Sequence, residues 1–420
     1  MKKENTNIIN LGCRLNIFEG EVIKSHIQNN KLNDCIIINS CAVTEEAEKK
    51  VAYEIRRAKK TNPKNKIVLT GCAAQINPAK YRDLKEVDSI VGNAEKLKSI
   101  TWKKINESRT IKVGNILEED KIVPTSIEKF EGKSRAYIEI QQGCDHRCTF
   151  CIIPFGRGNN RSVPVEVIIN RVKKIVKNNY KEVVLTGVDI TDYGKNLPGK
   201  PNLFQLCEQI LNSVPDLKQL RLSSIDCAEI NDDFWMLLND NRIMPHFHLS
   251  LQSGNDLILK RMKRRHTKLQ AIEFLNKVRS YRNDVVFGAD FIVGFPTETD
   301  KMFEETVNFV KHHHLIHLHV FPFSPRNSTP ASKMPQIPKN IIKKRAEILR
   351  ECGNNNLIKF LESQIGLKTK VLIEQVRENK SLGKSQHFTK IEIPEKLEKG
   401  SIVDCTIKNV SGNISKAILI

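Results

Sequence analysis

The sequence contains no run of about 18 apolar residues, which excludes a transmembrane helix of ordinary length. Its first residues, "MKKENTNIIN", lack the apolar stretch of a secretory signal, so the expected compartment is the cytoplasm. In that setting the 11 cysteines should be thiols or metal ligands, and a disulfide framework is not expected. Acidic side chains are in deficit: 48 Asp and Glu stand against 68 Lys and Arg, a net charge of +20. A lysine-rich genome exchanges Lys for Arg without creating net charge. The deficit therefore favours a polyanionic partner, whose counterions basic contacts release. Length is ample: 420 residues allow two or three domains with buried cores.

Residues 1 to about 95 repeat one pattern. "TNIINLGC" is a short apolar run ending at Cys13, followed by a helical stretch from Ile17 to Gln28. "CIIINSC" ends at Cys41 and leads into an amphipathic helix for which Thr44 is the expected N-cap. "KIVLTGC" ends at Cys72, and Asn77 is placed to cap the next short helix. Three strand–helix units of this kind predict a parallel, doubly wound sheet. Cys13, Cys41 and Cys72 each sit just past the carboxyl end of a strand, the edge at which open α/β sheets bind ligands. Three thiols at one topological position should converge on one crevice. For any one of them, packing as a small hydrophobe is the competing reading. Cys35, Cys207, Cys227, Cys352 and Cys405 lack such a pattern and are expected to be packing residues.

From Arg135 onward the alternation continues. "RAYIEIQQ", "EVVLTG", "LKQLRLSS", "HFHLSLQ", "VVFGADFIVG" and "LIHLHVFPF" read as strands, each separated from the next by a helical stretch of ten or more residues. Six units fall short of the eight of a closed (β/α) barrel, so an open six-unit barrel is expected, with its chemistry at the strand carboxyl ends. Directly after the first strand comes "GCDHRCTFC", with cysteines at 144, 148 and 151 and no fourth. Four thiolates would saturate a zinc ion or an iron–sulfur cluster. Three can hold three irons of a cubane and leave the fourth open to a small molecule. A zinc site of three Cys and His146 is the alternative, made awkward by the short loop. In "KHHHLIHLHVFPF", His317 and His319 alternate with apolar residues as strands do, and His312 to His314 end a helix, so no metal site is expected there.

The CxxxCxxC spacing after the first strand of a six-unit barrel resembles the radical S-adenosylmethionine (SAM) enzymes. Two cysteine triads in this order, "IIPFGRG" after the second and a small β-rich tail narrow the resemblance to the methylthiotransferases. "QQGCDHRCTFCIIPFGRGNNRS", "VVLTGVDITDYG", "LRLSSID", "LSLQSGNDLILKRMKRRH", "GFPTET" and "HVFPFSPRNSTPA" resemble the branch that modifies N6-threonylcarbamoyladenosine beside the tRNA anticodon. That resemblance implies two 4Fe–4S clusters, held by Cys144, Cys148 and Cys151 and by Cys13, Cys41 and Cys72. It implies two SAM molecules per turnover, one donating a methyl to sulfur at the second, auxiliary cluster and one yielding the 5′-deoxyadenosyl radical that takes the C2 hydrogen. It further implies SAM contacts from Thr186 and Gly187, Ser223, Gln252, and Val293 and Gly294, and a reductant such as flavodoxin or ferredoxin. For Ser223 and Gln252, helix capping is the competing role.

After a helical connector the tail reads as four short strands, "KTKVLIEQV", "HFTKIEI", "SIVDCTIKNV" and "KAILI", a small β-barrel resembling the RNA-binding TRAM domain. "KRMKRRH", Lys260 to His266, is a second basic concentration, either an RNA contact or a solvated helix face. The expected divisions are 1–115 (auxiliary-cluster domain), 130–362 (radical SAM core) and 366–420 (TRAM-like domain). A tRNA anticodon loop, with its accessible bases, suits such a protein. Rival substrates within the family are isopentenyladenosine in tRNA and a ribosomal-protein aspartate; a non-catalytic RNA-binding protein with structural zinc is the rival of another class.

Overall fold

A computed structural model describes residues 6–107, 109–123, 125 and 127–420; the first five residues, whose lack of an apolar leader was noted above, lie outside the described residues. Strands β1 (Asn7–Asn10), β2 (Cys35–Ser40), β3 (Lys66–Gly71), β4 (Ser89–Val91) and β5 (Ile111–Lys112) form a parallel sheet in that spatial order. Two strands thus extend the three expected units. Strand alternation sends Ile36, Ile38, Ile67 and Leu69 to one face, against α2 (Glu45–Thr61), α3 (Cys72–Ile76) and α4 (Pro78–Arg82). Cys35, Ile37 and Val68 go to the other, against α1 (Arg14–Asn29) and α5 (Ser99–Glu107). The sheet is covered on both faces, as a parallel sheet requires. Thr44 caps α2 through Ala47 N–H and Asn77 caps α4 through Lys80 N–H, as the sequence predicts. Helix α1 starts three residues earlier than expected because buried Asn16 ties its first turn to the Leu11 and Ser40 carbonyls, at 2.5 and 3.2 Å.

The central region supplies the six expected parallel strands: β6 (Ala136–Glu139), β9 (Glu182–Thr186), β10 (Gln219–Leu222) continued by β11 (Ser224–Ile225), β12 (His246–Gln252), β13 (Val286–Val293) and β14 (His317–Pro322). They pair as β6–β9–β10 and β11–β12–β13–β14, the two sets joined through the single residue Ser223. Neither β6 nor β14 is paired on its outer edge, so the arc is open among the described residues. A short antiparallel pair, β7 (Gln141–Gln142) with β8 (Arg161–Ser162), brackets the cysteine loop and α6 (Ile153–Arg157). Helices α7 (Val165–Lys177), α8 (Leu203–Ser213), α10 (Asp256–Met262), α11 (Lys268–Tyr281) and α12 (Asp300–His312) cover the outside. The crossover between β11 and β12 departs from expectation. It holds a 3₁₀ turn and a five-residue helix, α9 (Asp233–Leu237), because the following Asn239, Asp240 and Asn241 favour turns over helix. Phe18 and Val22 of α1 join the barrel core beside Ile138 and Ile168, so the two regions share apolar packing.

Helix α13 (Lys339–Ser363) leads to a closed barrel of five strands: β15 (Lys368–Arg377), β16 (Lys380–Ser385), β17 (Lys390–Ile393), β18 (Ile402–Ser411) and β19 (Ile414–Leu419). The sequence reading missed β16, "KSLGKS", whose residues have low strand propensity; pairing with both β15 and β17 makes it a strand. The β16–β17 turn docks against the amino ends of the central strands. There the Phe388 ring, at φ +64°, stacks 5.5 Å from His246, with the Arg135 and Arg221 guanidinium groups 5.0 and 4.9 Å from its centre. Arg221 donates to the Gln386 carbonyl at 3.2 Å and Arg135 pairs with Glu374 at 2.5 Å. No helix among the described residues is long and apolar enough to cross a membrane.

Candidate metal centres and the cavity between them

Cys13, Cys41 and Cys72 lie immediately beyond β1, β2 and β3, and all are free thiols. They are close enough that charge on Cys72 acts on both others. Burial pushes the Cys41 thiol up to about 11. Gly12 is required here: it sits at φ +100°, and a Cβ would fall 2.8 Å from the Cβ of Cys41. The floor of the crevice is polar and buried. Arg157 Nε lies 3.1 Å from Cys72 Sγ, and the Asn93 amide donates to the same sulfur at 3.7 Å. Arg157 also pairs with Glu19, which Lys96 meets at 2.6 Å. Burial works against ionisation of Glu19, but Arg157 and Lys96 outweigh it and hold the carboxyl down at about 2.

Cys144, Cys148 and Cys151 occupy the loop between β7 and α6, all half-buried and free. Gly143 allows the loop to pass the 158–160 segment: at φ +72°, a Cβ would lie 1.8 Å from the Asn159 carbonyl oxygen. The loop is clamped by Arg147 donating to the Cys144 carbonyl at 2.6 Å, and by Thr149 donating through its N–H and hydroxyl to the carbonyls of Met262 and Arg261. Burial pushes the Cys151 thiol up to about 12, and burial together with Asp189 raises Cys144. His146 Nε2 lies 2.8 Å from Asp189 and faces Glu229, and these carboxylates push its imidazole up to about 10, while Arg265 Nη2 lies 2.6 Å from the same nitrogen. The basic stretch 260–266 is split. Lys260, Lys263 and Arg265 are exposed, while Arg264 turns inward to Asp226 at 2.7 Å and Cys148 Sγ at 3.7 Å, and His266 is buried. In each place three soft thiolate donors without a fourth cysteine suit a cubane with one open iron.

The expected SAM contacts are placed unevenly. Thr186 ends β9, and the turn through Gly187 is fixed by Gln141 Oε1, which accepts from the N–H groups of Val188 and Asp189 at 2.9 and 2.8 Å. Ser223 is buried at the β10–β11 junction with its hydroxyl lacking a protein partner, as a ligand contact would leave it. Gln252 sits at φ +70° at the end of β12, a conformation that costs energy in a non-glycine residue. At Val293 and Gly294 one backbone group each is paired within the protein: the Val293 carbonyl accepts from Phe323 N–H at 2.9 Å and Gly294 N–H donates to Glu298 at 2.8 Å.

A cavity of about 270 Å³ opens at the carboxyl ends of the barrel strands. Its wall includes Val43 and Thr44, just past Cys41, together with Cys151, Gln252, Asp290 and Phe323. Cys151 lines this space directly, and the crevice side reaches it through Val43 and Thr44, two and three residues past Cys41. It is pinned by Glu45 N–H donating to Ser324 at 3.0 Å and by Glu48 of α2, which pairs with Arg326 and, at 2.8 Å, with Lys80. Sequence reasoning missed several of these groups. Asp290 accepts from His248 at 2.9 Å and His319 at 3.0 Å, three ligand-type side chains from adjacent strands. The repeated His-x-His at 246–248 and 317–319 was the available signal. Asp189, Asp226, Arg264 and Arg157 lie in the quoted motifs, but nothing in the sequence shows that the fold brings Asp189, Arg264 and Arg157 to sulfur and Asp226 to Arg264.

Two family profiles match: the radical SAM superfamily over residues 138–310, and an uncharacterized protein family, UPF0004, over 5–92. Among curated proteins the chain is similar to the threonylcarbamoyladenosine tRNA methylthiotransferase MtaB of Rickettsia prowazekii, 46% identical and covering 98% of this chain and 97% of that one. The MtaB of Aquifex aeolicus is 35% identical over 94% and 97%. A tRNA-2-methylthio-N(6)-dimethylallyladenosine synthase of Rickettsia typhi is 31% identical over 96% of each. Among solved structures, the radical SAM methyltransferase TsrM of Kitasatospora setae aligns with a TM-score of 0.55 at 12% identity, over 79% of this chain and 75% of that one, a likeness of fold.

Proposed function

Because the chain belongs to the methylthiotransferase family of radical SAM enzymes, we propose that it attaches a methylthio group to C2 of N6-threonylcarbamoyladenosine next to the anticodon in tRNA. The observation that carries this reading is the single cavity bordered by Cys151 on one side and by Val43 and Thr44, beside Cys41, on the other. C2 of adenine has no acidic proton, so acid–base catalysis does not serve. Bound at the two triads, 4Fe–4S clusters would supply the electron for SAM cleavage at Cys144, Cys148 and Cys151 and a site for the transferred sulfur at Cys13, Cys41 and Cys72.

The protein's own residues bind and orient. Thr186, Gly187, Ser223 and Gln252 are the proposed SAM contacts, with the unpaired Ser223 hydroxyl the best supported of them. Phe150, Phe321 and Phe323 give the cavity apolar walls that exclude water, and Asp290 and Gln252 supply its polar edge. The C-terminal barrel exposes Lys368, Arg377, Lys390, Lys408 and Lys416 for phosphate contacts, and a flavodoxin- or ferredoxin-type reductant would deliver the electrons. The threonylcarbamoyl substrate is favoured over the dimethylallyl one by the 46% identity to a relative named for the former against 31% for the latter. Nucleoside mass spectrometry of tRNA from a deletion strain tests it. The expected result is loss of the methylthio form with threonylcarbamoyladenosine accumulating; loss of the methylthio-dimethylallyl nucleoside instead would reassign the substrate.

A further inference from the structure

We propose that Arg157 is a positioning residue for the crevice triad: its guanidinium donates to the Cys72 thiolate and so sets how readily a cluster held by Cys13, Cys41 and Cys72 takes up an electron. The inference rests on the reading of that triad as a cluster site. Arg157 does not belong to the sheet that carries those cysteines. It ends α6, six residues beyond Cys151, and crosses into the crevice as a side chain only 2% exposed. The backbone of the same turn follows it, since the Asn93 amide donates to the Gly156 carbonyl at 2.5 Å and a Cβ at Gly156 would lie 3.3 Å from the Cβ of Cys72.

A guanidinium has five N–H donors, and each one here has an acceptor. Nε donates to Cys72 Sγ at 3.1 Å. Nη1 donates to Glu19 Oε1 and, at 3.2 Å, to Gln142 Oε1; Nη2 donates to Asn16 Oδ1 at 2.5 Å and Glu19 Oε2 at 3.1 Å. Four bonds to groups outside the triad fix the fork, and the fifth is thereby aimed at sulfur. Charge balance points the same way. Glu19 is already met by Lys96 at 2.6 Å, so Arg157 and Lys96 bring two positive charges to one carboxylate. The nearby Glu139 faces Arg171 and is drawn toward neutrality by burial, up to about 7. Burial draws the Lys96 ammonium down in turn while Arg157 stays a cation, and a buried cation is held best where acceptors surround it. The Cys72 sulfur, which is a thiolate when it ligates iron, is the acceptor that Nε reaches. An N–H···S bond from a fixed cation favours the more negative, reduced form of a thiolate-held cluster and raises its potential.

The test uses the full chain carrying Cys144→Ala, Cys148→Ala and Cys151→Ala, reconstituted anaerobically with iron and sulfide so that only the crevice site is filled. The parent should bind about four irons per chain. Adding Arg157→Gln should move the reduction equilibrium about tenfold toward the oxidised form, equal to about 59 mV for one electron, in a titration followed by electron paramagnetic resonance. Arg157→Lys keeps the charge but loses the fork and should shift it less, in the same direction. If the Gln chain fails to hold iron, the Lys chain carries the measurement. Iron-replete variants titrating with the parent would overturn the proposal and leave Arg157 a bridge between regions. A parent that binds no iron instead removes the cluster reading itself, a result distinct from an unmoved potential.

Discussion

The two cysteine triads are built by opposite means. Cys144, Cys148 and Cys151 come from one short loop, clamped by Arg147, Thr149 and Arg264. Cys13, Cys41 and Cys72 come from three strand ends and depend on the sheet to meet. Their electrostatic settings differ too. The loop triad has a carboxylate, Asp189, 3.7 Å from Cys144, and Arg264 beside Cys148. The crevice triad has Arg157 and Asn93 as donors to Cys72 and a buried ion cluster beneath. A loop triad with an open side is suited to a small ligand that enters and leaves. A sheet-built triad on a rigid polar floor is suited to holding one group in place. The lesson is that two sets of three cysteines can be given different surroundings by the elements that carry them, and the proposed division of tasks follows those surroundings.

Removing the loop triad should have the largest effect. The Cys144→Ala, Cys148→Ala, Cys151→Ala chain is expected to lose both 5′-deoxyadenosine and methylthiolated nucleoside, each measured by mass spectrometry; persisting 5′-deoxyadenosine would break the assignment of radical chemistry to that loop. Removing the crevice triad should split the two readouts. Cleavage of SAM continues, because the barrel core and its loop clamps remain, while methylthiolated nucleoside falls to background. Loss of cleavage as well would mean that the packing of Phe18 and Val22 against the barrel couples the regions more tightly than the division of tasks allows.

A smaller effect is expected from Glu48→Gln, which weakens the pin between α2 and the loop after β14 by leaving Arg326 without its carboxylate. The cost should be about 1–3 kcal/mol in unfolding stability. Methylthiolation should fall more than SAM cleavage does, since only the former needs both sides of the cavity. Equal falls would show that the pin serves stability alone. The smallest effect concerns acid. His246 is buried, which together with His317, Arg221, His248 and Arg14 holds it well below the usual imidazole range; Arg135, Lys384 and Phe388 complete its surroundings, with Glu182 and Glu374 the nearby acids. A depressed folded value means that its stabilising contribution is present above about pH 6.5 and is lost as pH falls, by about 1.4 kcal/mol per unit. Thermal stability should fall between pH 7 and 5.5, and that of the His246→Gln chain should fall less over that descent. Identical pH dependence in both chains would place the acid-sensitive group elsewhere.

Much of this was legible beforehand where ligands or periodicity are local. The loop triad declares itself in nine residues, and the six strands from 135 to 325 follow from apolar runs. Convergence of the crevice triad could be read because all three cysteines share one place relative to their strands. What stayed hidden depends on tertiary approach. "KRMKRRH" reads as a basic face, yet Arg264 and His266 turn inward because Asp226 and Cys148 lie beneath them. Phe388 in a polar turn gives no hint that it stacks on His246 at the base of another barrel. That docking also alters what removal of residues 366–420 would measure: it removes the barrel's exposed basic side chains and uncovers Arg221 and Glu182 together.

The central claim is that one chain holds two clusters facing one cavity, and iron counting after anaerobic reconstitution tests it most directly. The account predicts about eight irons per chain for the unaltered protein and about four for each triple-cysteine variant. About four irons in the unaltered chain, undiminished when Cys13, Cys41 and Cys72 are replaced, would contradict it.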